Sequence, residues 1–189
     1  MILVVAGLGR CGSSLTMHML RAGGFPVLFT KHMSLEHEGM TRLPKENLWL
    51  KDNHAIKIND PHLNILPKGQ FEYRFIWLTR NPKQQALSYR KMNLANSRSY
   101  LEKRDIRSSI RNKIKFIRKA EPKCQAIFKK LSSYPVLHCT FEDIIKDPEL
   151  YAHHLKIIAS PTFYLDKNKM AVVVKPRTSD CYDGLMELE

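Results

Sequence analysis

The chain begins with MILVVAGLGRCGSSLTMHMLRAGGF, residues 1–25, and this stretch decides the fold. Residues 1–6 are apolar and rich in β-branched side chains, which predicts a buried strand. Residues 7–12 predict a glycine-rich loop, and residues 13–22 predict a helix that ends at a glycine pair. Inward-facing backbone N–H groups and a helix N-terminus both favour negative charge. The stretch therefore predicts a cradle for a phosphate or sulfate group.

Length and cysteine content limit the number of domains and the classes of protein to which the chain can belong. A chain of 189 residues without repeats or linkers predicts a single domain, residues 1–189. Its four cysteines form no CxxC pair and no zinc-ligand spacing, which favours a reducing compartment. The apolar start is too short for a signal peptide, and no later stretch approaches the roughly 20 apolar residues of a membrane span. We expect a soluble, cytoplasmic protein with no membrane span; the sequence does not indicate its oligomeric state.

The positive charge of the chain is concentrated in one segment. The formal net charge is +13, and residues 90–130 hold 14 Lys and Arg against 3 acidic residues. Charge of this sign favours an acidic partner or a polyanionic ligand. The segment is either a solvated helical face or a surface that recruits an acidic partner, and the sequence leaves both interpretations open.

Strand and helix patterns alternate along the rest of the chain. Further strands are predicted for the short apolar runs at residues 26–30, 54–58, 73–79, 134–139 and 170–174. Helices are predicted for the periodic or capped segments at residues 82–93, 140–145 and 147–159. Residues 31–49 show weak periodicity and are expected to form a loop with a short helix.

One further segment, residues 99–132, has the isoleucine spacing of an amphipathic helix, which Pro122 is expected to divide in two. Two of the capped helices have an N-cap followed by proline, at Asn81 and at Asp147. The alternation predicts an α/β fold of three layers, with a mainly parallel central sheet flanked by helices. In such folds ligands bind at the carboxyl ends of the strands.

The glycine loop has the spacing of a Walker A loop, with one change. Ser13 stands where that motif has its phosphate-binding lysine, and Arg10 is the cation that the loop itself supplies. Cys11 is not expected to be a phosphatase-type nucleophile, because position 17, where that chemistry needs an arginine, is Met17. The alternative is a tight strand-to-helix turn with no ligand.

A second group of residues follows the strand predicted at residues 73–79. Arg80 ends this strand, and Ser88 lies eight residues later in the next helix, so that both can reach a second phosphate. A Walker B strand would end in an aspartate that holds magnesium. An arginine there favours direct binding of an anion without a metal, while a capped helix with a solvated arginine is the alternative.

The two motifs together resemble those of sulfotransferases that use 3′-phosphoadenosine 5′-phosphosulfate (PAPS). GLGRCGSSL looks like the family's 5′-phosphosulfate loop, and RNPKQQALSY looks like its 3′-phosphate motif. IKINDPHLNILP and FEDIIKDPELYAHHL are similar to two further segments, so the resemblance covers most of residues 1–160 in the right order. It implies a P-loop NTPase-like sulfotransferase fold and transfer of a sulfuryl group from PAPS to a hydroxyl or amine, with adenosine 3′,5′-bisphosphate (PAP) as product and no metal.

The resemblance also implies roles for individual residues. The expected contacts of the 5′-phosphosulfate are the loop residues Gly9, Arg10, Cys11, Gly12, Ser13 and Ser14. Arg80 and Ser88 are expected to bind the 3′-phosphate, and Lys57 to lie near the sulfuryl group. Arg177, which follows the last predicted strand, is placed over the nucleotide by its position alone.

The catalytic base is not settled by the resemblance. Asn59 stands two residues after Lys57, where the small-molecule sulfotransferases have a histidine, and Arg10 replaces their usual loop lysine. Glu38 is our first candidate for the base, with Glu36 and Asp60 in reserve. His32, His37 and His62, in the same segments, are further candidates.

Two other functions stay open at this point. A nucleotide or small-molecule kinase would use Asp60 as a metal ligand, although position 13 lacks the lysine. A non-catalytic nucleic-acid-binding module would use the basic helices, but the aromatic residues interspersed among them are few, which makes nucleic acid a weak expectation. For a sulfotransferase, the acceptor is either an acidic glycan or a small molecule.

Overall fold

A computed structural model describes residues 1–28, 53–63, 66, 71–96, 106–159 and 163–175. The strands in these ranges are β1 (Ile2–Gly7), β2 (His54–Asn59), β3 (Tyr73–Thr79) and β4 (Leu137–Thr140). The helices are α1 (Ser13–Ala22), α2 (Pro82–Asn96), α3 (Ile106–Leu131), α4 (Phe141–Lys146), α5 (Pro148–Ala159) and α6 (Lys167–Val172). A 3₁₀ turn, Pro61–Leu63, follows β2.

The strands form one parallel sheet in the order β2-β1-β3-β4. Because successive side chains point to opposite faces, β1 sends Leu3 and Val5 to one face and Ile2 and Val4 to the other, and all four are buried. A strand that is apolar on both faces must be covered on both. The sheet is therefore the middle of three layers, which confirms the predicted α/β class with a parallel sheet.

Each face of the sheet is covered by its own set of helices. The first face packs against α1, α5 and α6 through buried side chains such as Leu20, Leu155 and Met170. The second packs against α3 through Ile117, Cys124 and Phe128. Within the described ranges, no helix is long and apolar enough to cross a membrane.

Local signals placed several helices correctly. The bounds of α1 match the predicted residues 13–22. The side-chain oxygen of Asn81 accepts hydrogen bonds from the backbone N–H groups of Lys83 and Gln84, at 3.0 and 3.3 Å, and so caps α2. Asp147 caps α5 in the same way, accepting from the N–H of Leu150 at 2.9 Å.

Two predicted elements were wrong. Pro122 does not divide the basic segment, because α3 continues through it as one helix of 26 residues. Residues 170–174 do not form a strand: α6 runs through Val172, and Met170 and Val174 are buried while Val172 is 77% exposed. Burial four residues apart is the helical period, so packing has overridden the β-branched preference of this run.

The strand predicted at residues 26–30 is present only in part. Val27 forms an isolated parallel bridge with Ala55, and the N–H of Leu28 donates to the Ala55 carbonyl at 3.0 Å. Positions 29 and 30 and the segment 31–49 lie outside the described residues.

Candidate functional site

The carboxyl edge of the sheet brings the two motifs side by side. The last residue of β1, Gly7, pairs with Asn59 of β2 on one side and with Leu78 of β3 on the other. The glycine loop therefore starts between the ends of both neighbouring strands. The chain leaves β1 toward β2 and later returns to the opposite side of β1 as β3, so this is the point where the strand order reverses. Open parallel sheets bind their ligands at such switch points.

Backbone strain marks the same edge. Arg10 in the loop has φ 72° and Asp60 after β2 has φ 50°, a left-handed conformation that residues with side chains rarely adopt. Gly12 has φ 98° and is the N-cap of α1. A Cβ at Gly12 would lie 2.6 Å from Cδ2 of Phe141, so the position also lacks room for a side chain. Strained backbone persists only where the surroundings hold it, and it clusters at functional sites.

Arg10 and Ser88 connect the loop directly to the second motif. Arg10 Nε donates a hydrogen bond of 3.0 Å to Ser88 Oγ, although the two residues are 78 positions apart. The Ser88 side chain is 1% exposed, whereas Arg10 is exposed to solvent. The two motifs that the sequence predicted separately thus form one site.

Gln85 makes a second connection that the sequence did not reveal. Its side-chain amide donates to the carbonyls of Leu8 and Gly9, at 2.6 and 2.9 Å. Gln85 is 2% exposed, so these bonds are shielded from water. With the loop carbonyls held toward α2, the conformation of residues 8–9 depends on the position of that helix. No pattern distinguishes this glutamine from its neighbour Gln84, so sequence reasoning had no signal for it.

Arg80 lies where β3 ends, 7% exposed. Its guanidinium stacks over the ring of Phe141, with 4.6 Å between Cζ and the ring centroid. Glu142 accepts a hydrogen bond of 3.1 Å from the backbone N–H of Asn81. The start of α4 therefore braces both Arg80 and the residue after it, and a stacked guanidinium is held in a defined orientation.

The end of β2 contributes polar side chains to the other side of the loop. Lys57 Nζ donates to Ser14 Oγ at 3.2 Å. Ser13 Oγ donates to Asn59 Oδ1 at 3.3 Å. Asp60 donates its backbone N–H to the carbonyl of Gly7 at 3.0 Å, which closes the end of β1. The first turn of α1 and the end of β2 are thus joined through side chains.

Cys11 lies in the loop but its side chain faces away from the site. It is fully buried in the core cluster with α1 and α5. Burial raises the pKa of this thiol from 9.0 to about 11, which keeps it protonated and unreactive at neutral pH. With the side chain in the core, the backbone of Cys11 is the part that can face an anion. That Cys11 is not a nucleophile stays a prediction.

Lys113 of α3 is a cation beside this edge that the motifs did not indicate. Its Nζ lies 3.8 Å from the ring centroid of Tyr89 and 4.7 Å from that of Phe116. Burial lowers the pKa of the Lys113 amine, and the nearby Asp60 carboxylate opposes this shift. Tyr89 follows Ser88, and the ring of Phe116 lies 5.7 Å from that of His62 after β2. Lys113 therefore lies between the end of β2 and the middle of α2.

Three predicted site residues, Glu36, Glu38 and Arg177, lie outside the described residues. Of the other candidates, Lys57 lies near the end of β2 and Asp60 directly follows this strand, both beside the loop. The ring of His62 contacts Cys124, with 3.6 Å from Nδ1 to Sγ. Within the described part of the chain, no group of three or more His, Cys, Asp and Glu side chains is arranged to hold a metal ion. Binding without a metal stays a prediction.

Comparisons with known proteins add no relative to this description. The chain matches no protein-family model, no curated protein and no solved structure. Its function is therefore argued from the site.

Proposed function

We propose that this chain is a PAPS-dependent sulfotransferase with a P-loop NTPase-like sulfotransferase fold. The observation that carries the proposal is the hydrogen bond of 3.0 Å between Arg10 of the loop and Ser88 of the second motif. PAPS carries anionic groups on both its 5′ and 3′ oxygens. A protein that binds it needs two neighbouring anion sites, and the meeting of the two motifs at one edge of the sheet supports this assignment.

The loop fits the 5′-phosphosulfate. A Cβ built at Gly9 meets nothing within 4 Å, so there is open space on that side of the backbone. Gly12, the N-cap of α1, makes no side-chain cap hydrogen bond, so N–H groups of the first turn can donate to an anion. Backbone groups of residues 9–12, the Arg10 side chain and the hydroxyls of Ser13 and Ser14 would hold the group.

The second motif fits the 3′-phosphate. Arg80 precedes α2 and is stacked on Phe141. Ser88 lies in the second turn of α2. A guanidinium presents several N–H donors in a rigid plane and suits phosphate geometry. Because Arg80 is held by its surroundings, it loses little conformational freedom when it binds.

The proposed chemistry is an in-line displacement. PAPS supplies the sulfuryl group: a bond forms between sulfur and the acceptor oxygen or nitrogen, and the bond from sulfur to the 5′-phosphate oxygen breaks to leave PAP. Lys57, held against Ser14, is the cation assigned to the sulfuryl group, where fixed positive charge stabilises the transition state. The acceptor proton passes to a base, for which Glu38 remains first choice and Glu36 and Asp60 the reserves.

The test is isothermal titration calorimetry with three nucleotides: PAP, adenosine 5′-monophosphate, and ATP with magnesium. We expect PAP to bind without a metal. Arg80→Ala is expected to weaken PAP binding by about 10- to 100-fold, the effect of removing a hydrogen bond to a charged group. The same variant should leave binding of the 5′-monophosphate unchanged, since that ligand has no 3′-phosphate.

Lys83→Ala is the matched control, because it removes one exposed positive charge from the first turn of α2. It should bind both nucleotides like the wild type. Failure of the intact protein to bind PAP would refute the proposal, as would equal losses in Arg80→Ala and Lys83→Ala. Magnesium-dependent ATP binding in place of PAP binding would favour the kinase.

A further inference from the structure

The N-terminal turns of α3 extend beyond the sheet at its carboxyl edge. Ile117 lines a small cavity with Leu8 and Thr79, which mark this edge. Just after the helix, Ser132 Oγ donates to the carbonyl of Tyr73, where β3 starts, at 3.0 Å. Fifteen residues of helix advance roughly 22 Å and the seven residues of β3 span about the same length. Residues 106–116, the projecting turns, therefore reach past the edge beside the candidate site.

The projecting turns carry positive charge only. Their sequence, IRSSIRNKIKF, has four Lys and Arg and no acidic residue. Among the side chains described there, Arg111 and Lys115 are exposed, and Lys113 turns inward against Tyr89. Lys113 also lies close enough to Asp60 for their charges to interact. One cation thus faces the site and two face solvent next to it.

The charge and position together point to the acceptor of the proposed reaction. We propose that the acceptor is an acidic glycan, and that its carboxylates bind the projecting turns while one of its hydroxyls enters the site. The inference rests on the proposed function, which requires a hydroxyl or amine. A uronic-acid polymer offers many hydroxyls between regularly spaced anions, and the row of cations is complementary to them.

A nucleic acid is a weaker match for the same surface. Proteins that bind single strands stack the bases on exposed aromatic side chains. Of the aromatic residues described on α3, Phe128 is buried, and Phe116 is 37% exposed with Lys113 over its ring. Among the described residues of α3, this surface therefore offers several cations but a single partly covered aromatic ring, that of Phe116.

The experiment compares two double variants that remove the same charge from opposite ends of α3. Arg111→Ala/Lys115→Ala alters the projecting turns, and Lys129→Ala/Lys130→Ala alters the last turn, where both lysines are also exposed. Binding is measured by fluorescence anisotropy with a labelled decasaccharide of unsulfated chondroitin. We expect the first variant to bind about 3- to 10-fold more weakly, as for the loss of two exposed charge pairs, and the second to change less than twofold.

Three controls make the outcome decisive. The same decasaccharide with its carboxyl groups reduced to alcohols should bind both double variants with equal affinity. Equal losses in the two variants, or a labelled oligonucleotide that binds more tightly than the glycan, would overturn the inference. The protein is also expected to transfer labelled sulfate from PAPS to the glycan; no transfer by a preparation that binds both PAP and the glycan would refute the acceptor role.

Calorimetry with PAP separates the two proposals. Arg111→Ala/Lys115→Ala is expected to keep wild-type PAP affinity, because these side chains face solvent beyond the loop. If the wild-type protein binds no PAP, the proposed function is refuted, even if the glycan binds. If PAP binding is normal and the two double variants have the same affinity for the glycan, the glycan inference alone is refuted.

Discussion

Gly12→Ala is expected to destabilise the protein through two separate effects at the start of α1. The first is backbone strain: at φ 98° an alanine costs about 1–2 kcal/mol relative to glycine. The second is crowding, since the new Cβ would lie 2.6 Å from Phe141 Cδ2 and the ring must shift. Inserting a methyl group into a packed contact costs about 1–3 kcal/mol. The two effects together predict a loss of about 2–5 kcal/mol.

A double-mutant cycle with Phe141→Ala separates the two effects. Removing the ring relieves the crowding but not the strain, so Gly12→Ala should cost only about 1–2 kcal/mol in that background. The assay is urea denaturation followed by circular dichroism, with the free energy of unfolding extrapolated to water. An equal cost of Gly12→Ala in both backgrounds would refute the contact with Phe141, and a cost below about 0.5 kcal/mol would refute the left-handed conformation.

Gly9→Ala is the control in the same loop. Its Cβ would meet nothing within 4 Å, and the free energy of unfolding should stay within about 1 kcal/mol of the wild type. Because Gly9 is assigned to the phosphosulfate, this variant should nevertheless weaken PAP binding. Stability and binding are therefore expected to separate at Gly9.

Two further predictions concern helix α3 and the loop cysteine. Pro122→Ala should raise the free energy of unfolding by about 1–2 kcal/mol in urea denaturation, because Pro122 lies exposed inside a continuous helix; no gain would indicate a helix break there. Cys11 has its pKa raised from 9.0 to about 11, so its stabilising effect is complete below pH 9 and is lost as the pH rises to 11. Stability should fall less steeply over this range in Cys11→Ser, by at most about 1.4 kcal/mol per pH unit; parallel pH profiles of the two proteins would contradict the shift.

The first strand and helix could be predicted because local and tertiary preferences agree there. The apolar run that became Ile2–Gly7 is buried on both faces, and glycines at the N-cap and C-cap mark where Ser13–Ala22 begins and ends. Asn81 and Asp147 acted as caps for the same reason: their side chains satisfy N–H groups within their own turns. Such signals need no knowledge of distant residues.

The wrong elements are those where distant packing decides. The run at residues 170–174 is β-branched, yet Asp166 caps α6 and Met170 fills space beside Gly23, the C-cap of α1. Pro122 lies on the exposed side of α3. The opposite side of the helix is packed against the sheet through Ile117, Cys124 and Phe128. In both places the energy of burial exceeds the local preference, and burial is not visible in a short window of sequence.

The residues of the candidate site also fall into those with a local sequence signal and those positioned by distant packing. Loop spacing identified Arg10, and the end of a strand identified Arg80, since both signals are local. Gln85 and Lys113 acquire their positions only when α2 packs against the loop and α3 passes the edge of the sheet. Contacts between residues this far apart in sequence need the fold before they can be named.

The Gln85 side chain couples the loop to helix α2 through two hydrogen bonds. Fraying α2 at Gln85 breaks its bonds to Leu8 and Gly9 in the same event. The amide proton of Gln85, which is donated to the Asn81 carbonyl, should then exchange with solvent through openings that also break the bonds to the loop. By linkage, an anion that binds the loop raises the free energy of opening α2, including turns of the helix that the anion does not contact. Occupancy at the start of the chain can thus be read from hydrogen exchange some 80 residues later.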